Sequence, residues 1–286
     1  MKEFKEKVAV VTGAASGIGR GLAEHCAREG MKVVIADIEE PALKETEQAL
    51  KAAGADVLPV VTDVSKLTDI ETLAQKTLDT FGDVHLLFNN AGVQVGAETG
   101  KPLWEHTQKD WEWVLGVNLW GVIYGIKTFI PIMLDQWTEC HVVNTSSMAG
   151  LITEPKIVIY AVTKAGVIKL SEGLYLQLKQ MQSRIGVSVL CPAFVSSRID
   201  DAARNRPGEL QNSPDEPIET RPPVLSTSLR KADWEILSPE QCAEIVFTAI
   251  REDTFYILTH PVIKSLTKQR VDNILQGLNP EMPRFD

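Results

Sequence analysis

The sequence predicts a doubly wound α/β fold, in which a largely parallel sheet carries helices on both faces. Two observations point there. Short β-branched runs alternate with helix-length amphipathic segments over the first two-thirds of the chain, and the runs are apolar almost throughout rather than at every second residue. Strands that are apolar at consecutive positions bury both faces, and strands separated by helices pair in parallel.

Residues 8–12 open the sheet and run into a Gly-rich turn, after which 18–29 reads as a helix. Residues 33–37 form the second strand. The helix 41–53 follows, with Pro41 preorganising its first turn and Gly54 suiting its C-terminal end. Strand 57–61 leads to helix 67–81, where Ala74, Thr77, Leu78 and Phe81 fall at helical spacing and Gly82 is the stop. Residues 84–89, 141–146 and 187–191 are further strands. Between them lie 104–133, one long helix or two joined, and 159–181. The rhythm breaks over 194–237, where Pro207, Pro214, Pro217, Pro222 and Pro223 occur without a sustained period. A stretch of that length is expected to be a functional lid or partly disordered. Ser238 then reads as an N-cap with Gln241 at N3, opening a helix to about Arg251. A strand at 255–259 and a helix to about Leu275 complete the chain. One domain over residues 1–286 is expected, with a substrate-loop insert at 194–237.

Composition narrows the function. The 29 basic and 38 acidic side chains give a net charge of −9, which offers no whole-molecule field for nucleic acid or anionic lipid. The apolar stretch 122–134 carries Lys127 and Pro131 and falls short of the roughly 20 residues a bilayer helix needs. The apolar run 8–11 after the Lys-rich amino end is too short for a signal-peptide core. Cys26, Cys140, Cys191 and Cys242 are far apart, without a CxxC pair or a His cluster, so they read as reduced small hydrophobes and no metal site is expected. The expected compartment is the cytoplasm.

The first strand runs into Thr12-Gly13-Ala14-Ala15-Ser16-Gly17-Ile18-Gly19, where a helix begins. Glycines serve where backbone turns sharply and approaches a pyrophosphate, whose charge the helix N-terminus then meets. A tight turn with no ligand is the plainer reading of the glycines alone. The second strand ends at Asp37, 18 residues beyond Gly19. A carboxylate there can accept from the adenosine ribose and would repel a 2′-phosphate. No compensating cation stands beside it: Ser16 precedes the second glycine, and Ile38-Glu39-Glu40 follows the aspartate.

Thr12-Gly13-x-x-x-Gly17-Ile18-Gly19, Asn89-Asn90-Ala91-Gly92 and Tyr160-x-x-x-Lys164 occur in that order. Together they resemble the short-chain dehydrogenase/reductase family, closely over residues 6–195 and loosely beyond. The resemblance implies a Rossmann-like seven-stranded parallel sheet, NAD as cofactor and hydride transfer at a secondary alcohol or ketone. It implies cofactor contacts at Gly13, Ser16, Gly17, Ile18, Gly19, Asp37, Asp63, Val64, Asn90, Ala91 and Gly92. Tyr160, Lys164, Pro192, Val195 and Ser197 complete that set. Family members commonly assemble as homotetramers, or homodimers, through the helices matching 104–133 and 159–181.

Removing a carbinol proton needs a base, and the developing oxyanion needs a donor. Tyr160 and Lys164 share a helix face, so the lysine can favour the phenolate; spacing alone would equally allow a surface pair. The resemblance makes Tyr160 the general acid/base and gives Lys164 a second role on the nicotinamide ribose. It makes Ser147, thirteen residues before Tyr160, a hydrogen-bond donor to the substrate oxygen in preference to Ser146. It makes Asn118 the anchor of a helix irregularity and of a water linking the lysine to solvent. Two departures stand out: Ala193 and Ser197 where the family usually has glycine and threonine, and Trp137-Thr138-Glu139-Cys140-His141 where it has a Gly-rich approach to the fifth strand. Ala193 is expected to be tolerated if its φ is negative. His141 is expected to be structural.

Two competing readings are a catalytically silent NAD-binding sensor or scaffold of the same fold, and an unrelated nucleotide-binding α/β protein. The intact Ser147, Tyr160 and Lys164 argue against both. Arg198, Arg204, Arg206, Arg221 and Arg230 could meet an acidic substrate, or belong to a solvated lid. Asn205-Arg206-Pro207 and Tyr256-Ile257-Leu258-Thr259-His260-Pro261 resemble a bacterial subset of the family, some of whose members oxidise benzylic alcohols of lignin-derived aryl ethers. Trp104, Trp111, Trp113 and Trp120 read as core and subunit-interface residues.

Overall fold

The computed structural model describes residues 1–95, 101–152, 154–212 and 235–282. Seven strands form one sheet in the order β3-β2-β1-β4-β5-β6-β7, all parallel. They are β1 (Val8–Thr12), β2 (Lys32–Asp37), β3 (Val57–Val61), β4 (Leu86–Asn89), β5 (Cys140–Thr145), β6 (Ile185–Cys191) and β7 (Tyr256–Leu258). The helices are α1 (Gly17–Arg28), α2 (Glu40–Ala52), α3 (Leu67–Phe81), α4 (Gln108–Leu115), α5 (Gly121–Asp135), α6 (Val158–Gln180), α7 (Pro239–Arg251) and α8 (Val262–Leu275).

Each strand divides its side chains between two cores, as the pleat requires. Ala9 and Val11 of β1 join Leu22 and Cys26 of α1 and Phe247 of α7 on one face. Val8 and Val10 join Leu73 of α3, Phe129 of α5 and Leu174 of α6 on the other. All four cysteines are free and buried. His141 is also buried, with Nε2 2.8 Å from the Ser188 hydroxyl. Burial pushes it down to about 3, so it is a neutral core group.

Three local features differ from the sequence reading. Residues 104–133 form a 3₁₀ turn, α4, a π segment at Gly116–Trp120 and α5, with α4 to α5 continuous. That run, Gln108–Asp135, is long and apolar enough by length and composition to cross a membrane. Here Phe129, Ile130 and Met133 are buried in the second core, so it packs as a core helix. The described part of the 194–237 insert is built rather than irregular: 3₁₀ turns lie at Ile199–Asn205 and Gly208–Leu210, and Val195 bridges to Leu237. Pro214, Pro217, Pro222, Pro223, Arg221 and Arg230 lie outside the described residues. At the approach to β5, Trp137 adopts φ 53°, the left-handed region in which glycine is the easy choice. Glu139 beside it pairs with the amino terminus at 3.4 Å.

Candidate active site

Strand order reverses between β1 and β4, and a parallel sheet leaves a crevice beyond the carboxyl ends at such a point. Gly13 and Gly17 line it with φ of 67° and 52°. A Cβ on Gly19 would stand 2.0 Å from the Gly13 carbonyl oxygen, so only glycine lets the first turn of α1 cross beneath the loop. No side chain caps α1, and Ser16, Gly17 and Ile18 at its start line the cleft. Its first-turn N–H groups and positive dipole end suit a pyrophosphate.

The loop is tied to its neighbours. The Thr12 hydroxyl donates to the Phe88 carbonyl at 3.1 Å and accepts from the Asn90 N–H at 2.9 Å. Asn90 Nδ2 donates to the Thr12 carbonyl at 3.0 Å, and its Oδ1 accepts from the Thr145 hydroxyl at 3.2 Å. Asp37 closes the far end of the cleft. Its carboxylate accepts from the Ala15 N–H and the Glu39 N–H, both at 3.0 Å. Burial pushes that carboxyl above the usual carboxylate range despite these bonds. Asp63 and Val64 line the side of the cleft after β3, with Asp63 accepting from the Ser65 hydroxyl at 2.6 Å.

At the other end, Ser147, Tyr160, Lys164 and Asn118 come together although they start from three different elements. Tyr160 and Lys164 lie one turn apart in α6 and both line the cleft. Ser147 follows β5, its hydroxyl accepts from the Ala149 N–H at 3.1 Å, and its side chain opposes the upward shift of the Tyr160 phenol. Ser146 donates instead to the Lys164 carbonyl at 2.7 Å, which occupies it structurally. Lys164 Nζ donates to the Thr145 carbonyl at 2.9 Å and lies 5.5 Å from the centre of the Tyr160 ring. Asn118 sits inside the π segment; its Oδ1 accepts from the Val93 N–H at 2.8 Å and its Nδ2 donates to the Val93 carbonyl at 2.9 Å. Burial pushes the Tyr160 phenol up to about 12 and the Lys164 ammonium down to about 8.

Most residues expected at a cofactor line this one cleft, including Ala91, Gly92, Pro192 and Ser197. Val195 does not. Its backbone bridges to Leu237 and its side chain packs on the α1 and α7 core. Ala193 is not among the positive-φ residues, so its methyl is accommodated, and its N–H donates to Thr259 Oγ1 at 3.2 Å.

The described arginines of the insert are engaged by carboxylates of the protein. Arg204 and Arg198 pair with Glu39, and Arg206 pairs with Asp110 at 2.7 Å. Trp113 is likewise not only a core residue: it lines the cleft, with the Arg206 guanidinium 5.2 Å above its ring. Trp104 and Trp120 are exposed. Arg198 and Arg204, read from the sequence as candidates to meet a substrate, do line the cleft, whereas Glu39 and Trp113 had no local signal as cleft residues.

Fold and cleft define the class of doubly wound α/β proteins whose switch-point crevice accepts a dinucleotide. Residues 7–208 match the family model described as short chain dehydrogenase. The chain is 34% identical to the CLA biosynthesis dehydrogenase/reductase of Lactiplantibacillus plantarum, over 100% of this chain and 99% of that protein. It is 30% identical to the C alpha-dehydrogenase of Sphingobium sp., over 98% of this chain and 89% of that one. A crystal structure of a short-chain dehydrogenase/reductase from Burkholderia phymatum in complex with NAD superposes with a TM-score of 0.89 at 43% identity, covering 100% of both chains. The chain belongs to the short-chain dehydrogenase/reductase family of oxidoreductases.

Proposed function

We propose that this enzyme transfers a hydride between NAD(H) and a secondary alcohol or ketone, with Tyr160 as general acid/base. The observation that carries the reading is that Tyr160 and Lys164 line one end of a cleft that Asp37 closes at the other, with Ser147 interacting with Tyr160. Gly13, Gly17, Asp37, Asn90 and Lys164 would hold the cofactor, and the glycine cradle fits a pyrophosphate because any Cβ there meets backbone or a neighbouring side chain. The Burkholderia phymatum protein, solved with NAD, supports the choice of cofactor. Bound NAD supplies the two-electron acceptor.

In alcohol oxidation the hydroxyl proton passes to the Tyr160 phenolate as the carbonyl forms. In ketone reduction the Tyr160 hydroxyl returns that proton to the developing alkoxide. Ser147 donates to the same oxygen, and Asn118 positions the Val93 backbone beside the lysine. Lys164 places its charge where it favours the phenolate. A phenol pushed up to about 12 and an ammonium near 8 make Tyr160 a proton donor at neutral pH. Falling pH favours reduction, and rising pH favours oxidation until Lys164 loses, near 8, the charge that favours the phenolate.

Trp113 gives the cleft an aromatic wall and supports a bulky aromatic alcohol as substrate. The exposed Trp120 in the π segment, with Val162 and Leu176 on α6, supports assembly through these helices as a homotetramer. The test is a panel of aliphatic and benzylic alcohols and ketones followed by nicotinamide absorbance. Tight NAD binding with no turnover on any of them would favour the sensor reading.

A further inference from the structure

We propose that Glu39 is a second cofactor-specificity residue, which ties up two arginines that would otherwise serve a 2′-phosphate. The inference rests on the dinucleotide reading above. Asp37, Ile38, Glu39, Arg198, Arg204 and Asn205 line the same end of the cleft. Although burial opposes it, hydrogen bonds from Asn205 and Arg204 hold the Glu39 carboxyl below its usual range. Its Oε1 accepts from Arg204 Nε at 2.6 Å and from Asn205 Nδ2 at 2.7 Å. Its Oε2 lies 3.4 Å from Arg198 Nη1. Arg204 Nη1 donates to the Arg198 and Asp201 carbonyls at 2.8 and 2.7 Å. The Arg204 and Glu39 side chains are 20% and 19% exposed, so solvent screens this pair less than a fully open one.

The site therefore holds what a 2′-phosphate needs, guanidinium groups at the ribose end of a dinucleotide cleft, but with their donors turned onto a protein carboxylate. Asp37, Glu39 and Asp201 face Arg198 and Arg204, with Asp201 Oδ2 3.2 Å from Arg198 Nη2 and 3.8 Å from Arg204 Nη1, so the cluster carries one net negative charge. The main chain links the two carboxylates, because the Glu39 N–H donates to Asp37 Oδ1. Removing the Glu39 charge takes away the net negative charge that repels a phosphate at this end. Glu39→Gln does so and frees the Arg198 Nη1 donor that Oε2 had held, while its side-chain oxygen still accepts from Arg204 and Asn205, which keeps residues 198–205 in place.

The test titrates the enzyme calorimetrically with 5′-AMP and with adenosine 2′,5′-bisphosphate, two probes that differ only by the 2′-phosphate. The wild type is expected to prefer 5′-AMP. E39Q should move the Kd ratio toward the bisphosphate by about tenfold, the return of one charge-assisted hydrogen bond. The triple variant E39Q/R198Q/R204Q should lose that gain, and kcat/KM for NADP over NAD should follow the same order. Equal weakening of both probes in E39Q would show that Glu39 only fastens the loop, and would overturn the proposal. A gain that survives removal of the arginines would also overturn it. If 5′-AMP does not bind the wild type, the dinucleotide reading fails and the proposal falls with it. An unchanged ratio with tight 5′-AMP binding sinks the proposal alone.

Discussion

The floor of the cleft is held by glycine backbone packing and neutral hydrogen bonds between strand ends, whereas its outer wall at residues 198–212 is held largely by charged side chains. On the floor, Thr12, Asn90 and Thr145 stitch adjacent strand ends, and the glycine loop is packed against backbone. On the wall, Arg204 and Asn205 reach Glu39, Arg206 and Asn212 reach Asp110, and Lys109 reaches the Gln211 carbonyl at 2.8 Å. Arg204 and Arg206 thus fasten one short segment on two sides of the crevice, to the end of β2 and to α4. The difference teaches that a surface built from strand ends is set once the sheet forms. One built from ion pairs answers to pH and salt and can loosen without unfolding the sheet.

The comparison breaks first at Tyr160. Tyr160→Phe removes only the proton-transferring hydroxyl from the floor, so kcat should fall about 10²–10⁴-fold with NAD affinity nearly unchanged. Steady-state rates beside a calorimetric Kd measure both, and a variant keeping more than about a tenth of wild-type kcat would remove Tyr160 from the mechanism.

Arg206→Ala tests the wall. It leaves the Asp110 carboxylate, whose side chain is 5% exposed, without its guanidinium, at a cost of about 3 kcal/mol. Burial pulls the Asp110 carboxyl up, but His106 Nδ1 at 3.5 Å and hydrogen bonds from Arg206 and Asn212 outweigh it and hold the group well below the usual range. A carboxyl depressed by folding stabilises the protein above its unfolded value near 4 and loses that contribution as pH falls. Melting curves between pH 2 and 7 should show an acid-side loss in the wild type that is smaller in Arg206→Ala. An identical loss in both proteins would remove Asp110 and Arg206 from the wall's hold.

Asp37→Ala sharpens the contrast at the boundary between floor and wall. Two like charges about 4 Å apart at an effective dielectric near 20 cost at most about 4 kcal/mol. Even half of that is roughly a thirtyfold preference for NAD over NADP. The substitution should narrow kcat/KM discrimination, by relief of that repulsion for NADP, worth up to about that factor, and by weaker NAD binding as the ribose acceptor is lost. A wild-type ratio near unity would overturn the assignment. The smallest effect expected is that of salt. At about 1 M ionic strength the Debye length shrinks to about 3 Å, so tryptic cleavage after Arg198 and Arg204 should rise a few-fold while the sheet resists. Cleavage independent of salt would mean that the ion pairs do not hold the wall.

The floor was legible in the sequence because its parts are close in the chain or fixed by steric rules. Gly13, Gly17 and Gly19 mark a turn no other residue fits, Asp37 ends an apolar strand, and one helical turn separates Tyr160 from Lys164. The wall was not. Glu39 meets Arg204 from 165 residues away and Asp110 meets Arg206 from 96, and an arginine in a polar stretch reads the same whether it faces solvent, substrate or a carboxylate. Ala193 and Trp137 looked like defects in a family pattern. Their backbone shows one accommodated at negative φ and the other held in the left-handed region beside a glutamate that pairs with the amino terminus.

The sequence by itself determined the parallel sheet, the glycine turn, the placing of Ser147 ahead of a Tyr-x-x-x-Lys helix, and the acidic residue at the end of β2. Local sterics and hydrophobic periodicity act over a few residues and suffice for the sheet, the turn and the strand-end acid, whereas Ser147, Tyr160 and Lys164 were legible through the family resemblance. Only the tertiary structure decided which arginines remain open to a ligand, that Trp113 faces the cleft, and that Val195 faces the core. Those outcomes depend on which charges and surfaces the folded sheet brings within a few ångströms of one another, and spacing along the chain does not encode that proximity.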